Sequence, residues 1–250
     1  MQSRDFDDPN KRGLWWDWKP AKEGLEFLFH TGRLVVKARK NFQKVYELPE
    51  RFLPSNINTT FPGEEEHSEH LILRSINSHG FSSEKELTYL RYHNRTSTKA
   101  ILNKLLEEKK IIPLNIAGIN DETYYSTKKI LNTLNDLKLI NDIHILSPFD
   151  NIVIQRKRLN AIFGFDYIIE CYLPAPKRKF GYFTLPVLYG NTFAGRIDTK
   201  ADRRSGEFRI INEFWEKGFK QTSFFKEKYR QKLLQLALFA GCNSVKYPDK

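Results

Sequence analysis

The sequence predicts an α+β protein with winged-helix (helix-turn-helix) domains followed by a small C-terminal β-barrel-like domain. Helical segments that lead into a β-hairpin occur twice before residue 127. From Ile143 onward the sequence consists of short apolar or alternating runs, interrupted by prolines and by Gly190-Asn191, which is typical of strands joined by tight turns. We therefore predict three domains, spanning residues 1–54, 55–141 and 142–250.

The first domain is predicted to be a partial winged helix. The segment Pro20–His30 favours a short helix that starts with proline. Two strands follow, Arg33–Arg39 and Phe42–Leu48, with a turn at Lys40-Asn41. A helix followed by a basic hairpin is how a winged helix ends, and the helices that should come before it are not found in this sequence. Ahead of the helix, three tryptophans fall within Leu14–Trp18, where they would pack against other apolar groups.

The second domain repeats this plan in full. The first helix of this domain is favoured by acidic residues in its first turn and by a glycine after its last turn. Ser82 and Ser83 precede the next helix, and Glu86 is placed for a capping box. The predicted elements are the helices Glu64–Ser78, Glu84–Tyr92 and Lys99–Lys110, the strands Ile111–Ala117 and Glu122–Ser126, and a linking helix Lys128–Leu139. The net charge of residues 55–141 is zero, so this domain could equally be a structural or partner-binding module or contact DNA directly.

The third domain is predicted to combine strands with two helices. A basic helix, Arg156–Phe163, comes early, and a longer helix, Ser223–Ala240, carries apolar residues at helical spacing and ends at Gly241. The predicted strands are Ile143–Leu146, Tyr167–Leu173, Phe180–Tyr189, Thr192–Thr199 and Glu207–Phe214.

Composition places the chain among ordinary globular proteins. Of its 250 residues, 40% are apolar and 28% charged, which excludes a disordered chain. Cys171 and Cys242 lie far apart without a CxxC motif, so neither a zinc site nor a disulfide framework is predicted. There is no apolar run long enough to span a membrane and no secretory leader at the start. We expect a monomer in the bacterial cytosol, with no cofactor, no metal and no membrane partner.

The basic residues are unevenly distributed, which suggests a polyanionic partner. The net charge is +11, and residues 142–250 account for +8 of it. Cations interspersed with aromatics are typical of surfaces that follow a phosphate backbone. The alternative is a basic surface that only provides solubility. The predicted DNA-binding residues are Arg33, Lys37, Arg39, Lys40 and Lys44 on the first hairpin, and Arg156, Lys157, Arg158, Lys177, Arg178, Lys179, Arg196, Lys200 and Arg203, with Arg204 just beyond.

The cluster Lys177-Arg178-Lys179 is predicted to form a protruding turn, because it lies between Pro176 and a predicted strand. With Phe180 and Tyr182 beside it, it could press on the DNA backbone near an opened base pair. The alternative is an ordinary solvated turn.

Four segments, in order, resemble the crosslink-repair DNA glycosylases of the YcaQ/AlkZ type. They are LWWDWKPAKEGLEFLFHTGRLVV, FQKVYELPERFLP, ILSPFDNIVIQRKRLNAIFGFDY and YLPAPKRKFGYFTLPVLYGNTFAGRIDTKADR. The resemblance extends from Leu14 to about Gly241. It implies tandem winged helices followed by a β-barrel domain. It also implies hydrolysis of the N-glycosidic bond of alkylated or crosslinked purines, without metal or cofactor.

The resemblance also implies a catalytic Gln-x-Gln or Gln-x-Asp motif ahead of the tryptophans, and this sequence has none. The residues two positions after its six glutamines are Arg4, Val45, Lys157, Ser223, Leu233 and Ala237. We therefore expect a chain that corresponds to the C-terminal portion of the family, lacks its catalytic region, and binds damaged double-stranded DNA with little or no base excision.

Two carboxylates lie within family-like motifs. Asp150 is the one catalytic candidate, but we favour an Asx turn or helix cap ahead of Ile152–Arg158. Asp198 lies between Arg196 and Lys200, which favours a salt bridge along a strand. Two further hypotheses stay open: a non-enzymatic winged-helix DNA-binding or regulatory protein, and the product of a decayed gene that does not fold.

Overall fold

The computed structural model describes residues 2, 5–6, 20–89 and 95–248, without the side chains of residues 95–97, 120 and 121. Contacts divide the chain into two units, Met1–Pro62 and Gly63–Lys250. The predicted tryptophan segment Leu14–Trp18 lies outside the described residues. The finer division into three domains stays a prediction.

The first unit contains a helix, a hairpin and a short second helix. Helix α1 spans Pro20–His30, as predicted. Strands β1 (Val35–Lys40) and β2 (Gln43–Glu47) pair antiparallel, and α2 spans Pro49–Phe52. The turn is one residue later than predicted, at Asn41-Phe42, and both of its residues have positive φ. Positive φ at both central residues is the type I′ geometry that matches the twist of a two-residue hairpin.

A carboxylate joins α1 to the hairpin. Glu26 accepts hydrogen bonds from Lys44 Nζ at 2.6 Å and from the Tyr46 hydroxyl at 2.8 Å. The ring of Phe29 contacts Tyr46 and lies 4.4 Å from Lys44 Nζ. Burial, together with the hydrogen bond to Glu26, raises the pKa of Tyr46 to about 12. Lys44 therefore contributes to the packing of the hairpin on α1.

The second unit begins with three helices and a three-stranded sheet. Its core consists of Ile72, Ile76, Leu87, Leu102, Leu105 and Ile111. The sheet has the strand order β3-β5-β4. The elements are α3 (Glu64–His79), β3 (Ser82–Ser83), α4 (Glu84–Leu87), α5 (Arg95–Glu107), β4 (Ile112–Ile116) and β5 (Ile119–Ser126).

Two helices of this region differ from the prediction. Helix α4 ends at Leu87, although the prediction extended it to Tyr92; the last residues of that predicted helix lie outside the described range. Helix α5 spans Arg95–Glu107, so it begins four residues before the predicted start at Lys99 and ends three residues before the predicted end at Lys110. The predicted capping position of Glu86 is confirmed in part, because its carboxylate accepts a hydrogen bond from the Ser83 amide at 3.1 Å.

A five-stranded sheet forms the remainder of the second unit. It curls into a half-barrel, so the predicted α+β class is confirmed. Strand order is β10-β9-β8-β7-β6, with all pairs antiparallel except β10 on β9. The elements are α6 (Lys128–Thr133), β6 (Ile143–Ile145), α7 (Arg156–Phe163), β7 (Thr184–Tyr189), β8 (Thr192–Asp202), β9 (Glu207–Trp215), α8 (Ser223–Phe239) and β10 (Ser244–Lys246).

The sheet is buried on both faces. Helix α8 packs Phe225, Tyr229, Leu233 and Ala237 against the sheet. A second cluster is built on Leu188 and Phe193, and its other members are Val153, Leu159, Phe165 and Tyr167. Of the aromatics of α8, Phe225 and Tyr229 are therefore core residues, whereas Phe224 and Phe239 are exposed.

Three predicted elements of this region are wrong. The linking helix ends at Thr133 and continues only as a 3₁₀ turn to Asp136. No strand covers Tyr167–Leu173, and the strand predicted from Phe180 begins at Thr184. For the two strands, the physical reason is that the amides of residues 179–181 bond to the carboxylate of Glu170, so they are not free for a neighbouring strand.

Among the described residues, none of the helices has the length and apolar character that crossing a bilayer requires.

Candidate nucleic-acid interface

The loop of residues 170–183, called here the basic loop, carries the cluster Lys177-Arg178-Lys179. It is irregular apart from a short 3₁₀ turn at Ala175–Lys177. Pro174 and Pro176 disfavour a strand here, because neither can donate a backbone hydrogen bond. Lys177 and Lys179 are exposed and Arg178 is half-buried. The prediction of a basic turn in this place is therefore confirmed.

One buried carboxylate holds the basic loop from within. Glu170 accepts hydrogen bonds from the backbone amides of Lys179 at 2.9 Å, Phe180 at 2.7 Å and Gly181 at 3.1 Å. Burial opposes ionisation of Glu170, but the three amide bonds outweigh it and hold the pKa of the carboxyl below its ordinary value. Glu170 thus acts as an anionic anchor for the backbone that carries the cations.

A second carboxylate, Asp198 on β8, holds the other end of the loop. The nearby amides of Phe183 and Tyr182 lower the pKa of its carboxyl, but burial outweighs them and raises that pKa above its ordinary value. The predicted salt bridge of Asp198 is wrong, since no cation among the described residues lies within ion-pair distance of it. Its side chain faces Gly181, where an added β-carbon would come 2.2 Å from Asp198 Oδ2.

The guanidinium of Arg196 lies beneath the basic loop. It is buried, lies 4.4 Å from the ring centre of Phe165 and 4.2 Å from that of Phe180, and donates a hydrogen bond to Glu216 at 3.0 Å. Arg196 therefore supports the loop by cation–π contact. A phosphate cannot reach it without displacing the rings that cover it.

Arg158 is also buried, between α7 and the helical part of the unit. It pairs with Glu86, donates to the carbonyl of His79 at 3.3 Å, and lies 4.4 Å from the ring centre of Phe81. Its neighbour Arg156 is half-buried and donates to the carbonyls of Val153 and Pro148. Of the three cations of α7, Lys157 is the exposed one.

The remaining predicted DNA-binding residues of the second unit lie on β8 and the turn that follows it. Lys200 and Arg203 are exposed. Arg203 Nε donates to the carbonyl of Ala240 at 2.8 Å, at the end of α8, so part of its guanidinium caps that helix.

The predicted DNA-binding cations on the hairpin of the first unit differ in exposure and in their contacts with other protein groups. Arg33 and Lys40 are exposed. Lys37 is exposed and pairs with Glu47 at 2.7 Å, whereas Arg39 donates to the carbonyl of Phe42. Lys44 is half-buried against Glu26 and Phe29, as described above.

The single catalytic candidate has a local structural role. Asp150 Oδ1 accepts a hydrogen bond from the Ile152 amide at 2.9 Å, and the Asp150 carbonyl accepts from Val153 and Ile154. This is the Asx turn that the sequence favours, and it is confirmed. With that oxygen bound to the backbone, Asp150 is a poor choice for positioning water.

Sequence reasoning missed two residues of this site. Glu170 is the one acid between Asp166 and Lys177, and a lone carboxylate ahead of a basic cluster is a usable signal for an amide anchor. Tyr172 lies in the predicted strand Tyr167–Leu173, yet the prolines that follow it indicate a loop.

A model of the protein family described as DNA glycosylase AlkZ-like matches residues 1–239.

Proposed function

Because the chain belongs to the AlkZ-like DNA glycosylase family, we propose that it binds double-stranded DNA at alkylated or interstrand-crosslinked purines and acts in their repair. The family match supports a glycosylase-like role in DNA repair. The single observation that carries the DNA-binding part is the basic loop, in which three successive cations stand on a backbone anchored by Glu170 and Asp198. Because the backbone that carries these cations is already fixed, binding to phosphates costs little further backbone conformational entropy.

The proposed phosphate contacts exclude the buried arginines. Arg158 and Arg196 keep the ion pairs and ring contacts that stabilise the fold. Arg156 and Lys44 are likewise engaged with protein groups. The residues that we propose to contact phosphate are Lys157, Lys177, Arg178, Lys179, Lys200 and Arg203 in the second unit, and Arg33, Lys37, Arg39 and Lys40 in the first.

We also propose that the helical half of the second unit is a winged helix. Three helices precede a hairpin, and the short strand β3 between the first two helices pairs with β5. That order of elements is typical of the winged-helix variant of the helix-turn-helix. In the first unit, α1 with the β1–β2 hairpin has the order expected for the last part of a second such domain.

Base excision by this chain is proposed to be weak or absent. Cleavage of the N-glycosidic bond needs a group that positions water and stabilises the positive charge that develops on the sugar. The sequence contains no Gln-x-Gln or Gln-x-Asp motif, and Asp150 is bound to the backbone. The measurement is release of the modified base from a duplex that carries an N7-alkylguanine, with heat-released base as the reference. Full excision by the 250-residue chain would contradict this proposal.

A second candidate function is a DNA-binding or regulatory protein without enzymatic activity, and the missing glutamine motif favours it. The two functions differ in lesion selectivity. A repair protein binds the alkylated duplex more tightly than the unmodified duplex of the same sequence, whereas a regulatory protein follows the sequence and ignores the lesion. A competition between the two duplexes therefore separates them.

The DNA-binding proposal is tested by salt titration. Each phosphate contact contributes about 0.9 to the slope of log affinity against log salt concentration. The double variant Lys177→Gln/Lys179→Gln is expected to lower that slope by about two. Lys226→Gln, which removes one exposed cation from α8, is the control and should leave the slope unchanged. A slope near zero for the unaltered chain would remove the proposal. We expect a monomer in light scattering and a cytosolic location.

A further inference from the structure

Two exposed tyrosines belong to the basic loop. The exposed fraction of Tyr172 is 83% and that of Tyr182 is 57%. Phe180, which the sequence suggested would face DNA, instead packs edge-on against Phe214 and beside Arg196. Tyr172 and Tyr182 are therefore the aromatics that the loop offers to a ligand. Exposed aromatics interspersed with several cations in one loop are a feature of surfaces that bind single-stranded nucleic acid.

One arginine connects Tyr182 to the turn that contains Tyr172. Arg178 Nε donates a hydrogen bond to the carbonyl of Leu173, next to Tyr172, at 2.9 Å. The guanidinium carbon of the same side chain lies 4.8 Å from the ring centre of Tyr182. Arg178 thus ties the Tyr172-Leu173 turn to Tyr182 and places a delocalised, planar cation beside an exposed ring.

The backbone under both tyrosines is fixed. Glu170, two residues before Tyr172, bonds to three amides on the other side of the loop, and the last of these, the amide of Gly181, directly precedes Tyr182. With the backbone already fixed, little backbone freedom is lost when a ligand stacks on the rings, and Arg178 also contacts the Tyr182 ring. Stacking on a fixed ring is therefore more favourable than stacking on a mobile one.

We infer that Tyr172, Tyr182 and Arg178 form a stacking platform for a nucleobase that has left the duplex stack. An aromatic or guanidinium plane accepts any base by its π face, and the adjacent Lys177 and Lys179 match the phosphates of the same strand. A fully paired duplex presents no free base face to such a platform. The ligand class is thus an unpaired nucleotide within or beside a duplex. This inference rests on the proposed DNA binding.

The test compares two duplexes of one sequence, fully paired or with a single-nucleotide bulge, by fluorescence anisotropy at one salt concentration. The unaltered chain is expected to bind the bulged duplex more tightly. The double variant Tyr172→Ala/Tyr182→Ala should lose about tenfold in affinity for the bulged duplex and keep its affinity for the paired one, since one stacked base contributes on this scale. The variant Tyr172→Phe/Tyr182→Phe should retain the preference, because stacking does not need the hydroxyls.

A matched control is provided by Phe224 on α8. It is also an exposed aromatic with a cation above it, since Lys228 Nζ lies 5.2 Å from its ring centre. Phe224→Ala should leave the preference for the bulged duplex unchanged. Thermal unfolding of every variant identifies any loss of binding that comes from misfolding, and the phenylalanine variant provides a folded comparison if the alanine variant is unstable.

The outcomes separate this inference from the proposed function. If Lys177→Gln/Lys179→Gln weakens binding to both duplexes equally and only Tyr172→Ala/Tyr182→Ala changes the ratio of the two affinities, the inference holds. Equal affinities of the unaltered chain for the two duplexes, or an equal change with Phe224→Ala, would overturn the platform and leave DNA binding intact. Absence of binding to either duplex would overturn both.

Discussion

The guanidinium of Arg158 on α7 and the carboxylate of Glu86 on α4 form a buried ion pair that joins the half-barrel part of the second unit to its helical part. Burial raises the pKa of Glu86 even though Arg158 lies beside it. The same carboxylate accepts the Ser83 amide at the start of α4. One acid therefore caps a helix and neutralises a buried cation.

Loss of Arg158 is expected to destabilise the second unit without changing the salt dependence of DNA affinity. Arg158→Met leaves Glu86 without its partner, and removing one member of a buried pair costs about 3–5 kcal/mol. Urea unfolding measures this cost. Lys85→Met is the matched control, because Lys85 pairs with Glu122 at an exposed position where the cost is about 1 kcal/mol or less. A lower salt slope in folded Arg158→Met would instead place Arg158 among the phosphate contacts.

Gly181→Ala is expected to disturb the basic loop. Its φ of +140° is unfavourable for any residue with a β-carbon, and that carbon would lie within 2.8 Å of three side-chain atoms of Asp198. Backbone strain of this kind costs about 1–3 kcal/mol before the clash is added. Gly218→Ala is the control, since Gly218 also has positive φ but has open space around its Cα. The melting temperature and the DNA affinity should both fall further in Gly181→Ala than in Gly218→Ala. Equal losses in the two variants would show that the contact with Asp198 is unimportant.

The two carboxylates of the basic loop are expected to affect stability in opposite directions as the pH changes. The folded pKa of Glu170 is lowered, so its contribution is present above its ordinary value of 4.5 and is lost as the pH falls through the folded pKa. The folded pKa of Asp198 is raised by burial, so the folded chain keeps this proton to a higher pH than the unfolded chain does, and stability decreases as the pH rises from 3.8 through the folded pKa.

Glu170→Gln and Asp198→Asn, compared with the unaltered chain by thermal unfolding from about pH 3 to about pH 7, separate the two effects. The stability advantage of the unaltered chain over Glu170→Gln should grow with pH, and its advantage over Asp198→Asn should shrink. Parallel curves for both variants would mean that neither carboxylate titrates as its surroundings imply.

Phe42→Gly is expected to stabilise the hairpin of the first unit. Phe42 has a φ of +65° at the turn, and its side chain is 94% exposed. Glycine relieves a left-handed conformation that costs other residues about 1 kcal/mol, and Asn-Gly is the preferred pair for this turn. A higher melting temperature of the Phe42→Gly variant, measured on the whole chain, would agree with this prediction. A lower one would show that the phenylalanine side chain contributes packing that its exposure conceals.

Much of the fold could be predicted from local patterns. Helices α1 and α7 have the predicted limits: Pro20 marks the start of α1, and Gly164, in the left-handed conformation, marks the end of α7. The turn between β7 and β8 is at Gly190-Asn191, as predicted. These features depend on the nearest few residues, which is the range that sequence patterns describe well.

The errors fall where distant residues decide the conformation. The strand predicted at Tyr167–Leu173 is a loop because Glu170 binds amides nine to eleven residues away. Asp198 lacks its expected ion pair because amides of the basic loop reach it first. Basic clusters likewise predicted a charged surface, but the burial of Arg158 and Arg196 depends on acids and rings from other elements.

The parallel strand β10 constrains how the protein can be made. It pairs with β9 only after α8 has crossed over the sheet, so on the ribosome the edge of β9 stays open until Lys246 has emerged from the exit tunnel. An open edge recruits other strands. Slow translation or premature release between Trp215 and Lys246 should therefore produce chains that need chaperones, even though their remaining strands are complete.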